Sequence, residues 1–183
     1  MFLKSVFYLD VISLSILLAG IIWSVAKPAK RIWPPSGKPT WQYKSAWILF
    51  YLVFGLNTLI IFLDWNNWIF PNTLRFFIGI PLAGVGGSLL IWGIRHLGLI
   101  NTSGLLDDFV QSGPYRFTRN PQYLGDMLLF LGLSIISNSL HLWITHILLI
   151  LVFVITPLAE EDWLLKQHGD DYQSYLNKTS RFL

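Results

Sequence analysis

The sequence contains no cysteine. Disulfides, thiolate metal ligands and cysteine nucleophiles are therefore excluded, and the redox compartment is left open. Charge is scarce as well. Asp, Glu, Lys and Arg supply 13% of the 183 residues, where soluble domains carry about 25%. So few charges do not coat a water-facing surface. The net charge of +3 is small for a nucleic-acid binder, and no basic, aromatic-interleaved groove pattern is present. His96, His141 and His146 lie scattered, without ligand spacing or carboxylate support, so no metal site is expected. What the chain does have is 54% hydrophobic residues, nine tryptophans and a mean hydropathy of +0.54. Lipid is the expected solvent.

A hydrocarbon core of about 30 Å takes roughly 20 apolar helical residues. Three stretches fit, at 8–26, 45–63 and 73–94. A fourth tract, 121–157, is too long for one span, and Ser137-Asn138-Ser139 offers a turn inside it. It reads as a tight helical hairpin, 121–137 and 140–156. The expected fold is an all-α, five-span transmembrane bundle forming one domain over 1–183, with a cytosolic C-terminal helical segment.

Charge gives the direction. Five spans place segments 27–44, 95–120 and 158–183 on one side, and these hold eleven of the thirteen basic residues. Only Lys4 and Arg75 fall on the other. The positive-inside rule then puts the N-terminus outside and the C-terminus in the cytosol. A signal peptide cut after Ser24-Val25-Ala26 is the rival for the first span. It would leave the most basic loop on the outer face, and Asp10 interrupts its apolar region. Gly79, Ala83 and Gly87 form a small-residue stripe for close helix approach. Gly84-Val85-Gly86-Gly87 sits mid-span with no preceding strand, so it is no dinucleotide loop. Trp33, Trp41, Trp65 and Trp68 lie near the interfaces, as an aromatic belt does.

Polar chemistry concentrates later in the chain. Asn120-Pro121 reads as a helix start, with Asn as N-cap and Pro at the first position. Arg119 stands just before that terminus, whose free N–H groups favour anions. An ordinary capped helix with Arg119 on lipid phosphates is the equal alternative. Asp126 lies about a turn and a half into the fourth span, where a charge is costly. It pairs with Arg116 or Arg119, or faces water. Glu160-Glu161-Asp162 follows the fifth span. On a helix, Thr156 and Glu160 share a face while Glu161 is rotated by about 100°. Asp162 suits a solvated face near Lys166. Gly169 reads as a helix stop and Asp170-Asp171-Tyr172-Gln173 as the start of a last short helix.

Gly113-Pro114-Tyr115, then Arg119-Asn120-Pro121-Gln122-Tyr123-Leu124-Gly125, resembles the Gly-x-Tyr…Arg-His-Pro-x-Tyr-x-Gly motif of isoprenylcysteine carboxyl methyltransferases. Glu160-Glu161, Leu164, Gly169, Tyr172 and Tyr175 resemble that family's C-terminal ending. The resemblance covers about residues 95–180. It implies a methyltransferase that uses S-adenosyl-L-methionine, releases S-adenosyl-L-homocysteine, and takes a lipid-bearing, prenylcysteine-like substrate from the bilayer. Carried over, Tyr115, Arg119, Asn120, Pro121, Gln122, Tyr123 and Glu160 become cofactor contacts, joined by Asp107, Phe109, Val110 and Glu161. Glu160 and Arg119 take the catalytic positions. Residues 1–94 become a three-span scaffold and 95–183 the cofactor-binding part.

Two positions bear on the substrate. Asn120 holds the motif's His position, and Arg-Asn-Pro also occurs in the related phospholipid N-methyltransferases. Thr156 stands where an arginine for a substrate carboxylate is expected. A carboxylate acceptor needs no base, being ionised at neutral pH. A lipid amine needs one, and Glu160 or Glu161 is the candidate. Lipid-amine N-methylation is thus an alternative to carboxyl methylation. NADPH-dependent sterol reductases, which share Arg-x-Pro-x-Tyr-x-Gly-Asp including the position of Asp126, are a second. A non-catalytic membrane scaffold is a third. The methyl acceptor, the host membrane and the oligomeric state stay open.

Overall fold

A bilayer offers no partner to an unpaired backbone N–H or C=O, so each apolar stretch must close its own hydrogen bonds as a helix. The computed structural model describes residues 1–69 and 73–182. It contains helices α1 (Phe2–Ala26), α2 (Trp41–Leu63), α3 (Leu74–Thr102), α4 (Pro121–Ser137) and α5 (Leu140–Lys178). Short 3-10 turns sit at Pro28–Lys30 and Gly113–Arg116. No strand occurs among the described residues. Helices α1, α2, α3 and α5 are long and apolar enough to cross a membrane, and α4 is a shorter apolar helix. The expected helical bundle is therefore present, with the α4–α5 hairpin turning at Asn138 in the left-handed region (φ 49°).

Several helices run further than apolarity alone suggests. α1 and α2 begin several residues early. α3 continues past residue 94 to Thr102, broken at Gly98 (φ 81°, ψ 159°). α5 continues past residue 156 into the charged segment, broken at Gly169 (φ 51°, ψ −127°). Only residues 140–158 of α5 are apolar enough for hydrocarbon, and Glu160 onward lies beyond them.

The most extensive helix pair is α3 with α4, and it rests on glycine. A Cβ on Gly86 would stand 2.7 Å from Gly125 O, and one on Gly125 would stand 2.6 Å from Leu90 N. The two backbones touch there. The expected stripe 79/83/87 holds in two of its three members: Gly79 packs on Gly132 and Ile136 and Ala83 packs on Gly132, whereas nothing lies within 4 Å of a Cβ on Gly87. Gly86 and Gly93 join Gly79 and Ala83 on the contact face.

One end of the bundle is closed by a polar latch. Asp64, at the end of α2, accepts from Asn67 Nδ2 at 2.9 Å, pairs with His141 Nδ1 at 2.8 Å, and accepts from Ser139 Oγ. Asn66 N and Asn67 N donate to Ser137 O and Asn138 O at 2.7 and 3.1 Å. The α4–α5 turn is thereby pinned to α2. At the opposite end, where α3 finishes and α4 starts, the C-terminal tail returns to the body: Arg119 N donates to Ser180 O at 2.9 Å.

Candidate active site

The chain leaving α3 is folded back by one asparagine. Asn101 Oδ1 accepts from Asp107 N at 3.0 Å, and its Nδ2 donates to Asp108 O at 2.8 Å. Gly104 (φ 78°) makes the turn against Trp33, whose ring would lie 2.7 Å from a Cβ at its Cζ2. This return places Phe109 over the C-terminal helix. Its ring stacks on His168 (4.9 Å, 21°) and meets Tyr172 and Tyr175 edge-on, both at 5.6 Å. Tyr175 Oη donates to Tyr115 O at 2.6 Å. Gln122 Nε2 donates to Tyr115 Oη and to Thr102 Oγ1, both at 3.0 Å. These bonds enclose a cleft of about 100 Å³.

Glu160 lies on its wall. Its Oε1 accepts from Tyr123 Oη at 2.6 Å and from Trp33 Nε1 at 2.7 Å, while Oε2 makes no hydrogen bond among the described residues. Burial pushes its carboxyl up to about 7; the bonds from Tyr123 and Trp33 oppose this, and neighbouring Glu161 adds to it.

Glu161 has a different environment. Its Oε1 accepts from Arg119 at 2.8 Å and Arg181 at 2.9 Å, and its Oε2 from Arg181 at 2.7 Å. Burial alone would raise this carboxyl, but hydrogen bonds and charge from Arg181 and Arg119 hold it below the usual range. Arg119 also donates to Leu176 O at 3.1 Å and Thr179 O at 2.5 Å, and its backbone N donates to Ser180 O at 2.9 Å. Asn120 Nδ2 donates to Arg181 O at 3.0 Å. Arg119 Nε is buried with no hydrogen-bond partner.

Nine of the eleven residues expected at the site line this cleft: Phe109, Val110, Tyr115, Arg119, Asn120, Gln122, Tyr123, Glu160 and Glu161. Pro121 and Asp107 do not. Pro121 is buried at the first turn of α4, and Asp107 is exposed, with Asp108 lining the cleft in its place. Asp126 does not pair with either arginine. It lines a second, apolar cavity of about 480 Å³ between the helices. Thr102, Gln122 and Tyr123 line both spaces, so the two adjoin.

The phospholipid methyltransferase family matches residues 74–171, from the start of α3 to just past Gly169. That is more than half of the chain. The chain belongs to the phospholipid methyltransferase family. Over 104 residues it is 31% identical to phosphatidylethanolamine N-methyltransferase B of Dictyostelium discoideum, covering 54% of this chain and 52% of that protein. The chain thus spans about half the length of the curated relative it matches. No solved structure matches. Phospholipid methyltransferases share a superfamily with the isoprenylcysteine enzymes, so the superfamily resemblance stands. The match does not extend to the prenylcysteine family itself.

Several residues in or beside the cleft lie outside the Arg119–Gly125 motif. Trp33 belongs to the first basic loop, and its indole serves Glu160 as well as any interface. Asn101 and Thr102 end α3, where nothing marks them off from a connector. Tyr172 and Tyr175 stand in the C-terminal pattern, three apart on one face, whereas His168 precedes the break at Gly169 and reaches the same aromatic wall through its stack on Phe109.

Proposed function

We propose that this chain is an S-adenosylmethionine-dependent N-methyltransferase acting on an amine-headgroup phospholipid at the membrane face. The observation that carries the proposal is Glu160. Its carboxylate is held by two donors, keeps one oxygen free, and borders a cleft that also presents Arg119 and a wall of aromatic rings.

The residues present fit the methyl donor. The orphaned Nε of Arg119 suits a carboxylate. The free oxygen of Glu160 suits the donor's ammonium. The Phe109–His168 stack offers a flat face for adenine. The cleft adjoins the larger cavity, so donor and acceptor have neighbouring spaces that together reach the scale of a ligand site, about 300–1,000 Å³. When bound, S-adenosylmethionine supplies an electrophilic methyl group. The chain's part is to align the acceptor and exclude water.

The choice of acceptor follows from what the site lacks. Thr156, where a cation would greet a substrate carboxylate, is buried and donates to Val152 O at 2.7 Å. The family match and the relative's named activity favour an amine acceptor over a prenylcysteine carboxylate. An amine must shed a proton before its nitrogen attacks. Glu161 is committed to two arginines, so of the two carboxylates expected as base only Glu160 keeps a free oxygen. The excess of basic residues at the end carrying this cleft supports a cytosolic active site.

The test is transfer of a labelled methyl group in proteoliposomes. Label is expected in extracted N-methylated phosphatidylethanolamine and absent from a prenylcysteine analogue. Label only in the analogue would reverse the acceptor assignment. A thermal shift with NADPH and none with S-adenosylmethionine would overturn the class.

A further inference from the structure

We propose that the apolar cavity beside the cleft is the acceptor-lipid site, with Asp126 pairing the amine headgroup and the cavity walls taking the acyl chain. This rests on the N-methyltransferase reading and names the substrate contacts that reading leaves unassigned.

The cavity, about 480 Å³, is walled by side chains such as Leu17, Ile21, Phe50, Phe54, Leu129 and Phe153. A lipid tail matches such walls, since it passes from bilayer hydrocarbon to an apolar lining with little polar surface to desolvate. Asp126 is the single charged residue of the lining. It makes no hydrogen bond or ion pair among the described residues, although it is half-buried between the helices. Thr156, Ser45 and Trp47 of the same lining do have partners: Thr156 donates to Val152 O, Ser45 to Gln42 O, and Trp47 to Ser103 O. An unpaired acid at membrane depth is costly and marks a partner to come. An ammonium headgroup is that partner, because it completes the pair by a charge-assisted hydrogen bond. An anionic headgroup would be repelled.

Placement ties this site to the cleft. Tyr123 and Asp126 stand three apart on α4 and so share a face. Tyr123 stacks on Phe153 of the cavity (5.9 Å, 27°) while its hydroxyl binds Glu160 in the cleft. Trp33 likewise lines the cavity and donates to Glu160. An amine held at Asp126 therefore lies behind the same two side chains that hold Glu160.

The experiment is native mass spectrometry of the full chain released from micelles containing equal phosphatidylethanolamine and phosphatidylglycerol. The wild type is expected to retain phosphatidylethanolamine by about tenfold over phosphatidylglycerol, the scale of one charge-assisted contact. Asp126→Asn is expected to erase that preference and Asp126→Glu to keep part of it. Ala46→Trp, which fills the cavity from α2, is expected to lower retention of both lipids. Equal retention by the wild type, an unchanged preference in Asp126→Asn, or full retention in Ala46→Trp would each overturn the proposal. Donor binding by calorimetry is the separate control. Asp126→Asn is expected to bind S-adenosylmethionine like the wild type, which also reports its folding. A wild type that binds the lipid but not the donor strikes the methyltransferase reading and leaves this site intact.

Discussion

Glu160 and Glu161 are adjacent in sequence yet meet opposite electrostatics. A helix rotates successive residues by about 100°, so one carboxylate turns to the cleft and the other to the two arginines. Burial raises Glu160 to about 7, so its charged form is lost on mild acidification. If it holds the donor's ammonium, donor affinity rises as pH climbs through about 7. Glu160→Gln is expected to bind weakly with no such rise. Trp33→Phe removes a bond that favours the carboxylate, so the rise shifts to higher pH. Calorimetric titration of S-adenosylmethionine at a series of pH values reads all three, and a pH-independent wild type would sink the assignment. Glu160 and Tyr123 were legible because a motif orders them. Trp33 was not, because it stands 127 residues from its partner. No periodicity links a loop tryptophan to one acid among ten.

The elements were more legible than their contacts. Apolar run length gives helices directly, since the bilayer requires them, and the α4–α5 hairpin falls at the expected residues. Which glycines touch was not so readable. Small residues at fourfold spacing drift by about 40° per step around a helix, whereas a sevenfold spacing returns to within about 20°. Two long helices lying side by side therefore use Gly79, Gly86 and Gly93, with Ala83 between them, and Gly87 faces away. Gly86→Leu drives a side chain into the backbone of α4 and is expected to cost about 1–3 kcal/mol, the range for overpacking. Gly87→Leu, one residue on, is expected to leave stability unchanged. Thermal unfolding midpoints in detergent separate the pair, and equal losses in both would refute the contact face.

At the scale of the whole molecule, the two ends of the bundle are fastened differently. The Asp64 latch closes one end with side chains near the helix termini. The other end depends on a tail returning to the body, where Glu161 joins Arg119, at 10% side-chain exposure, to Arg181. Sequence order hides this clamp, because Arg181 lies past the last helix and nothing local assigns it a partner. Breaking a largely buried pair strands the remaining charge, at about 3 kcal/mol. Glu161→Gln is therefore expected to lower the unfolding midpoint and to expose residues beyond Lys178 to protease. Glu160→Gln is expected to lower neither, since burial penalises that carboxylate in the first place. Acid should copy the first effect. The Glu161 carboxyl lies below its ordinary value in the fold, so its stabilisation is present above the unfolded value, about 4.3, and fades as pH falls through the folded one. Stability measured against pH would then drop in acid for the wild type by more than for Glu161→Gln. Parallel curves for the two would show that the tail is held by its backbone carbonyls, where Ser180 O accepts from Arg119 N at 2.9 Å and Arg181 O from Thr118 Oγ1 at 3.0 Å, rather than by charge.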